Sequence, residues 1–237
     1  MIAGALVVAI DGPSGSGKSS VSQEVARRLG LAYLDTGAMY RAAAWWCLRQ
    51  GLALTDWTGV ADAVRAMPMT MGLDPAAPTI EVGGHQVAEE IRSTEISTVV
   101  SSVATNLEVR AELGRRQRAL IASECEPGGV SAGRGVVAEG RDITTVIAPQ
   151  ADVRILLTAS EGARLARRAL DLHGCADEAA VEATRDQVLR RDAEDSTVVE
   201  FQSAADGVVT VDSSALDFEQ TVLAVLKVVE MCRQDAS

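Results

Sequence analysis

The sequence predicts an α/β fold, in which a parallel β-sheet is covered by helices on both faces. First, residues 6–10 form a continuous apolar run rich in β-branched side chains, which is typical of a buried parallel strand. Second, a glycine-rich segment follows, and after it Val21, Val25 and Leu29 recur on one face of a helix. Third, strand-like and helix-like segments alternate along the 237 residues, as they do in parallel sheets.

The other elements are predicted from apolar runs, helical periodicity and turn residues. Strands are expected at residues 6–10, 136–138, 153–157 and 208–211. The first helix ends before Gly30, and further helices are expected at residues 38–50, 56–67, 93–104, 108–123, 160–172, 177–192 and 216–231. Residues 69–91 carry two prolines and three glycines between short stretches, which predicts two or three short antiparallel strands inserted between helices.

Composition and charge exclude several classes of function. The chain is 47% hydrophobic and 23% charged, and its net charge of −11 disfavours binding to a nucleic acid polymer or to an anionic membrane surface. The longest apolar runs, at residues 5–10 and 42–48, are far shorter than the ~20 residues of a membrane span. No basic leader precedes the first run, and the four cysteines are widely spaced. We therefore expect a cytoplasmic protein.

Residues 12–19 have the P-loop pattern GxxxxGKS. Glycines let the backbone direct successive N–H groups towards an anion, and the N-terminus of the following helix adds its positive dipole end. Lys18 would place its charge on the β- and γ-phosphates, and the Ser19 hydroxyl would reach Mg²⁺. A merely flexible turn would need neither the lysine nor the flanking strand and helix. The loop alone does not define a reaction, because GTPases, ATPases and small-molecule kinases share it.

Single arginines at the ends of predicted elements favour phosphoryl transfer to a small acceptor. Ligands of open α/β sheets lie at the carboxyl ends of the strands, where Arg141 and Asp142 are expected. A carboxylate such as that of Asp142 accepts from the N4 amine of cytosine and repels the corresponding oxygen of uracil. On the residues alone, Asp142 is equally well explained as a helix cap or as a partner of Arg141. Arg41 and Arg110 are similarly well explained as solvated helix residues.

Six segments together resemble the bacterial cytidylate kinases: GPSGSGKSS (12–20), DTGAMYR (35–41), EEIRS (89–93), VRAELGRRQR (109–118), EGRDITTV (139–146) and RRDAEDS (190–196). The resemblance covers essentially the whole chain. That family phosphorylates CMP and dCMP with ATP in pyrimidine metabolism. Its fold is a nucleoside-monophosphate-kinase core with a five-stranded parallel sheet, an insertion that binds the monophosphate, and a lid. The resemblance implies one kinase domain over residues 1–237, the insertion at 69–91 and the lid at 164–195.

The resemblance also implies roles for individual residues. ATP, with Mg²⁺ held by Ser19, would be bound by Gly12, Pro13, Ser14, Gly15, Ser16, Gly17, Lys18, Ser19 and Ser20, and by the lid residues Arg164, Arg167 and Arg168. CMP or dCMP would be bound by Thr36, Arg41, Ser101, Arg110, Arg141, Asp142 and Asp195. Within that set, Arg41 and Arg141 would hold the phosphate, and Asp195 the sugar, while Ser101, Arg110 and Asp142 would face cytosine. Lys18, Arg141 and Arg191 would be catalytic, with Arg191 between the two nucleotides. A monomer is expected.

The chain departs from the family pattern at Val198, where the family usually has an arginine. Loss of a phosphate or sugar contact there is expected to affect affinity more than reaction type, and Arg190 or another lid arginine is a candidate replacement. Two alternatives stay open on the sequence. One is a kinase for another small acceptor, such as UMP or shikimate. The other is a nucleotide-binding regulator that has lost transfer activity.

Overall fold

The computed structural model describes residues 4–201 and 203–235, with the backbone alone at residues 171–173, 187, 191 and 235. Its strands are Leu6–Asp11 (β1), Ala32–Asp35 (β2), Met69–Gly72 (β3), Thr79–Val82 (β4), His85–Gln86 (β5), Gly135–Gly140 (β6), Val153–Thr158 (β7) and Val209–Asp212 (β8). Five of them form a sheet in the order β2-β6-β1-β7-β8, in which all neighbouring strands are parallel. The predicted fold class is confirmed.

The α-helices are Lys18–Leu29 (α1), Thr36–Arg49 (α2), Trp57–Ala66 (α3), Thr94–Ala104 (α4), Leu107–Glu124 (α5), Glu161–His173 (α6), Glu178–Asp195 (α7) and Phe218–Asp235 (α8). Several begin at a polar residue whose side chain accepts from a backbone N–H of the first turn, as Asp35 does from Ala38 at 2.8 Å. A 3₁₀ turn covers Glu90–Arg92, and a π-helical turn covers Ile143–Ile147. Among the described residues, no helix combines the length and the apolar character that a membrane crossing demands.

Both faces of the large sheet are buried. Along β1, Val8 and Ile10 belong to a core formed with α1 and α8, whereas Ala9 belongs to a second core formed with α2 to α5. Side chains of a strand alternate between its two faces, so a continuous apolar run fits a strand that is covered on both sides. This burial explains why residues 6–10 have no polar position.

Three short strands form a separate antiparallel sheet in the order β3-β4-β5. It packs on α2 and buries Ile80 and Val82 in the second core. The antiparallel strands predicted within residues 69–91 are therefore present. This small sheet lies close to β2, since the Tyr33 backbone N–H donates to the carbonyl of Leu73, the residue after β3, at 2.9 Å.

The sequence interpretation missed two elements that position the site. Strand β2 has four residues, all of them buried, and is too short to show a period. The π-helical turn after β6 was also not predicted. It depends on Asp11 at the end of β1, whose buried carboxylate accepts from the backbone N–H groups of Ile143 and Thr144 at 2.9 and 2.8 Å. A contact across 132 positions leaves no local signal in the sequence.

Candidate active site

A cleft of 580 Å³ opens at the carboxyl ends of β1, β2 and β6. Predicted site residues from six parts of the chain line it together: Ser14, Gly15, Gly17, Lys18, Ser19, Ser20, Thr36, Arg41, Arg110, Arg141, Asp142, Arg168 and Asp195. The small antiparallel sheet contributes Ile80, and the 3₁₀ turn contributes Arg92, whose position in the cleft was not predicted. The structure thus places these predicted residues around one space, whereas the predicted residues Gly12, Pro13, Ser16, Ser101, Arg164 and Arg167 do not line it.

Close packing around the P-loop explains its glycines. Gly15 and Gly17 have φ angles of 76° and 85°, which side chains disfavour. A Cβ at Gly12 would lie 2.2 Å from the Leu157 carbonyl oxygen, and a Cβ at Gly15 would lie 2.4 Å from that of Arg164. The loop is therefore pressed between β7 and the start of α6. Lys18 lies within the loop, with Nζ 3.5 Å from the Pro13 carbonyl oxygen.

Two carboxylates lie beside the P-loop at the ends of neighbouring strands. Asp35 of β2 and Glu139 of β6 are paired in register, and Glu139 is only 1% exposed. Burial, reinforced by the nearby Asp35 carboxylate, raises the pKa of Glu139 to about 7. Burial also disfavours the charge of Asp35, but Arg41 and the Ala38 N–H outweigh it and lower the pKa of Asp35. Arg41 Nη2 lies 2.9 Å from Asp35 Oδ2.

Glu139 is a candidate functional residue that the sequence interpretation did not single out. It accepts from the Ser19 hydroxyl at 2.7 Å through Oε1, while its buried Oε2 has no hydrogen-bond partner among the described residues. The only sequence signal was its place as the last charged residue of a buried strand. Thr36, predicted to bind substrate, donates its hydroxyl to the Glu139 carbonyl at 2.7 Å.

The predicted base-recognition residues form an ion pair. Arg110 of α5 donates to Asp142 through Nη2, and its guanidinium lies 5.9 Å from the centre of the Tyr40 ring. Burial raises the pKa of Asp142, and Arg110 partly offsets that effect. The Asp142 side chain neither caps the π-helical turn nor pairs with Arg141. Both of the structural explanations considered for Asp142 are therefore wrong.

Arg141 is bound by two carboxylates of α7. Its Nη1 donates to Asp192 at 2.8 Å, its Nε lies 2.9 Å from Asp195, and its guanidinium lies 4.4 Å from the centre of the Phe201 ring. Asp195 also accepts from the buried Ser101 hydroxyl at 3.3 Å. Of these partners, Asp192 was not predicted. Its spacing from Asp195, one helical turn, was the available signal.

The predicted lid arginines differ in their surroundings. Arg164 donates to the Ser14 carbonyl at 2.9 Å, so it contacts the P-loop directly. Arg167 donates to the carbonyls of Ser16 and Ser213 at 3.1 and 2.7 Å, and so joins the P-loop to the segment after β8. The Arg191 side chain lies outside the described residues. Val198 does not line the cleft but a smaller pocket of 240 Å³, and its neighbour Val199 lines both.

A P-loop at the end of the central strand, facing a set of arginines across one cleft, defines a P-loop nucleotide-binding protein of the α/β class. The family model for cytidylate kinase matches residues 8–231. The chain therefore belongs to the cytidylate kinase family, as the sequence segments predicted.

Individual cytidylate kinases are similar to this chain over nearly the full length of both proteins. The chain is 46% identical to a cytidylate kinase of Streptomyces avermitilis over 95% of this chain and 93% of that one. It is 47% identical to a cytidylate kinase of Rhodococcus opacus, with 97% and 96% of the two chains covered. A cytidylate kinase of Cutibacterium acnes is 45% identical, with 94% and 96% covered.

Proposed function

We propose that this protein transfers the γ-phosphoryl group of ATP to CMP or dCMP, which yields ADP and CDP or dCDP. Membership of the cytidylate kinase family supports this reaction. The observation that carries the residue-level proposal is a single cleft with the P-loop on one side and Arg41, Arg141 and the Arg110–Asp142 pair on the other. The two nucleotides would meet there with their phosphates facing each other.

On the donor side, the backbone of residues 12–19 would bind the phosphates of ATP. Inward N–H groups and the N-terminus of α1 provide fixed positive dipoles, and Lys18 adds a full charge. Such preorganised groups stabilise the charge that develops on a phosphoryl group during transfer. Arg164 and Arg168 of α6 would complete this side, because one contacts Ser14 and the other lines the cleft.

The residues near Ser19 fit a bound Mg²⁺. Hard oxygen ligands suit this ion, which keeps several waters and takes others from phosphates. The Ser19 hydroxyl would bind the ion, and the orphaned Oε2 of Glu139 would accept from a water next to it. Among the described residues no three His, Cys, Asp or Glu side chains converge on a metal position, which agrees with a site completed by nucleotide phosphates. Bound Mg²⁺ would neutralise phosphate charge.

On the acceptor side, Arg41 and Arg141 would bind the phosphate of CMP. This phosphate is already an anion at neutral pH, so its oxygen attacks without a general base. The Asp142 carboxylate, oriented by Arg110, would accept from the N4 amine of cytosine. Uracil presents an oxygen there and would leave buried groups unpaired, which is why a polar match discriminates strongly. Asp195 would contact the sugar, with Ser101 holding its carboxylate.

We also propose that residues 69–91 act as the monophosphate-binding insertion and residues 164–195 as the lid. Ile80 and Ile91 from the first segment and Arg168 and Asp195 from the second line the cleft, which supports these roles. Closure of both would exclude water and so limit hydrolysis of ATP. The family supports a cytoplasmic enzyme of pyrimidine metabolism, and a monomer is our expectation.

A panel of acceptors tests the proposed function. ADP production would be measured with Mg-ATP and CMP, dCMP, UMP, AMP or shikimate at several concentrations. We expect the highest kcat/KM with CMP or dCMP. A higher kcat/KM with another acceptor would reassign the substrate. Tight ATP binding without transfer to any acceptor would favour the regulator.

A further inference from the structure

Asp192 of α7 lies where the P-loop, the end of β6 and helix α6 meet. Its carboxylate is 5% exposed and is not used by the reaction described above. Oδ1 accepts from the Ser14 backbone N–H at 3.1 Å and from Arg141 Nη1 at 2.8 Å. Oδ2 accepts from Arg164 Nη1 at 2.5 Å. One carboxylate thus bonds to groups from both sides of the cleft.

The two arginines that Asp192 joins belong to different nucleotides in the proposed function. Arg141 follows β6 on the acceptor side, and Arg164 lies in α6 on the donor side. Two guanidinium groups near each other repel in a partly buried site, and a shared carboxylate offsets that repulsion. Asp195 also holds Arg141, and the Ser14 carbonyl also holds Arg164, but only Asp192 contacts both arginines among the described hydrogen bonds and ion pairs.

Asp192 and Arg164 also hold the P-loop together. The Ser14 N–H donates to Asp192, and the Ser14 carbonyl accepts from Arg164 at 2.9 Å. Both backbone polar groups of Ser14 are therefore bonded to side chains of α6 and α7. The pKa of Asp192 is lowered, because Arg141, Arg164 and the Ser14 N–H outweigh the effect of burial. The carboxylate is thus ionised at neutral pH.

We propose that Asp192 is a positioning residue for the transfer step, which aligns Arg141 with Arg164 across the P-loop when α6 and α7 are closed over the cleft. The inference rests on the proposed function and deepens it. Binding of CMP alone does not need Asp192, because its carboxylate competes with the CMP phosphate for Arg141. Transfer needs it, because the phosphoryl group passes between the two sides and both arginines must then be fixed.

The difference between binding and transfer provides the test. Asp192→Asn keeps the shape of the side chain and removes its charge. We expect kcat to fall by about 10- to 100-fold, as for a misplaced catalytic group. The Kd for CMP should stay within about three-fold of the wild-type value or become tighter, because a competitor for Arg141 is lost. Asp186→Asn, at an exposed position of the same helix, is the matched control and should behave as wild type.

A merely structural role predicts another pattern. A kcat within about three-fold of wild type would overturn the proposal, and so would a loss of CMP affinity as large as the loss of kcat. If Asp192→Asn does not fold, Asp192→Glu provides the same test, because it keeps the charge and displaces the carboxylate. Failure of the proposed function is distinct, since wild-type protein would then transfer nothing to CMP or dCMP.

A double-mutant cycle tests whether Asp192 acts through Arg164. In an Arg164→Gln background one of the two aligned arginines is already lost. The additional effect of Asp192→Asn on kcat should then be smaller than in wild type, because the two residues are in contact. Full additivity of the two effects would overturn the proposal.

Discussion

The P-loop and the acceptor side of the cleft are both built for anions, but they use different parts of the chain. The P-loop uses consecutive residues and mostly backbone N–H groups, in a shape that depends on glycines at positive φ angles. The acceptor side uses side chains of α2, α5 and the end of β6, which the fold brings together from distant positions. The P-loop is therefore formed by residues that are neighbours in sequence, whereas the acceptor side forms only when distant parts of the chain come together in the fold.

The acceptor side also differs in how it handles charge. The three arginines that were predicted to bind the acceptor are each paired with an aspartate: Arg41 with Asp35, Arg110 with Asp142, and Arg141 with both Asp192 and Asp195. Pairing limits repulsion among the arginines and orients their guanidinium groups before substrate arrives.

The largest effect is expected on the donor side, from loss of the positive charge within the P-loop. Lys18→Ala should lower kcat by about 10³-fold, because one well-placed group at a developing charge contributes up to that factor. Lys227, the only other lysine, is exposed on α8, and Lys227→Ala is the control. Steady-state ADP production with CMP measures both. A turnover close to that of wild type in Lys18→Ala would show that transfer does not need Lys18 and that the backbone N–H groups of the P-loop suffice.

The next effect concerns the free energy of unfolding, which depends on the ionisation of Glu139 between the P-loop and the acceptor side. In the folded protein, burial raises the pKa of Glu139 to about 7, whereas the ordinary pKa of a glutamate is 4.5. Between these values the folded state binds more protons than the unfolded state, so the free energy of unfolding falls as pH rises. The slope is at most about 1.4 kcal/mol per pH unit, the value for one proton. Glu139→Gln should abolish that part of the pH dependence.

Urea unfolding at several pH values between 4.5 and 7.5, with EDTA present, measures this slope. Glu230→Gln, at an exposed position of α8, is the control and should keep the wild-type pH dependence. If the free energies of unfolding of wild type and Glu139→Gln changed with pH in parallel, Glu139 would be ionised in the folded protein across this range.

The smallest of these effects is expected in the selectivity of the acceptor side. Asp142→Asn replaces an acceptor by a group that also donates, so it should lower the preference for CMP over UMP by about 10- to 100-fold, the range of a charged hydrogen bond. The ratio of kcat/KM values for the two acceptors is the measurement. Asp62→Asn, at an exposed position of α3, should leave that ratio unchanged. An unchanged ratio in Asp142→Asn would exclude Asp142 from base selection.

The same contrast explains which parts of the site were predictable. The P-loop could be identified from residues 12–19 alone, because its anion-binding groups are backbone groups whose geometry follows from a short pattern. Arg141 was placed at the site by its position after a buried strand, and the family resemblance assigned its role. Arg41 and Arg110 were assigned through the resemblance, since an arginine in a helix carries no local mark of a ligand-binding role. Glu139 and Asp192 were missed, because their importance lies in contacts with Ser19 and Arg141 that are distant in sequence.

By itself, the sequence determined the alternation of strands and helices, the covered sheet and the P-loop pattern, since period, burial and glycine geometry are properties of neighbouring residues. Only the tertiary structure decided that Asp142 pairs with Arg110 and that one carboxylate of α7 contacts both sides of the cleft. The physical reason is that an ion pair needs atoms within about 4 Å, and chain distance places no limit on which residues meet at that separation.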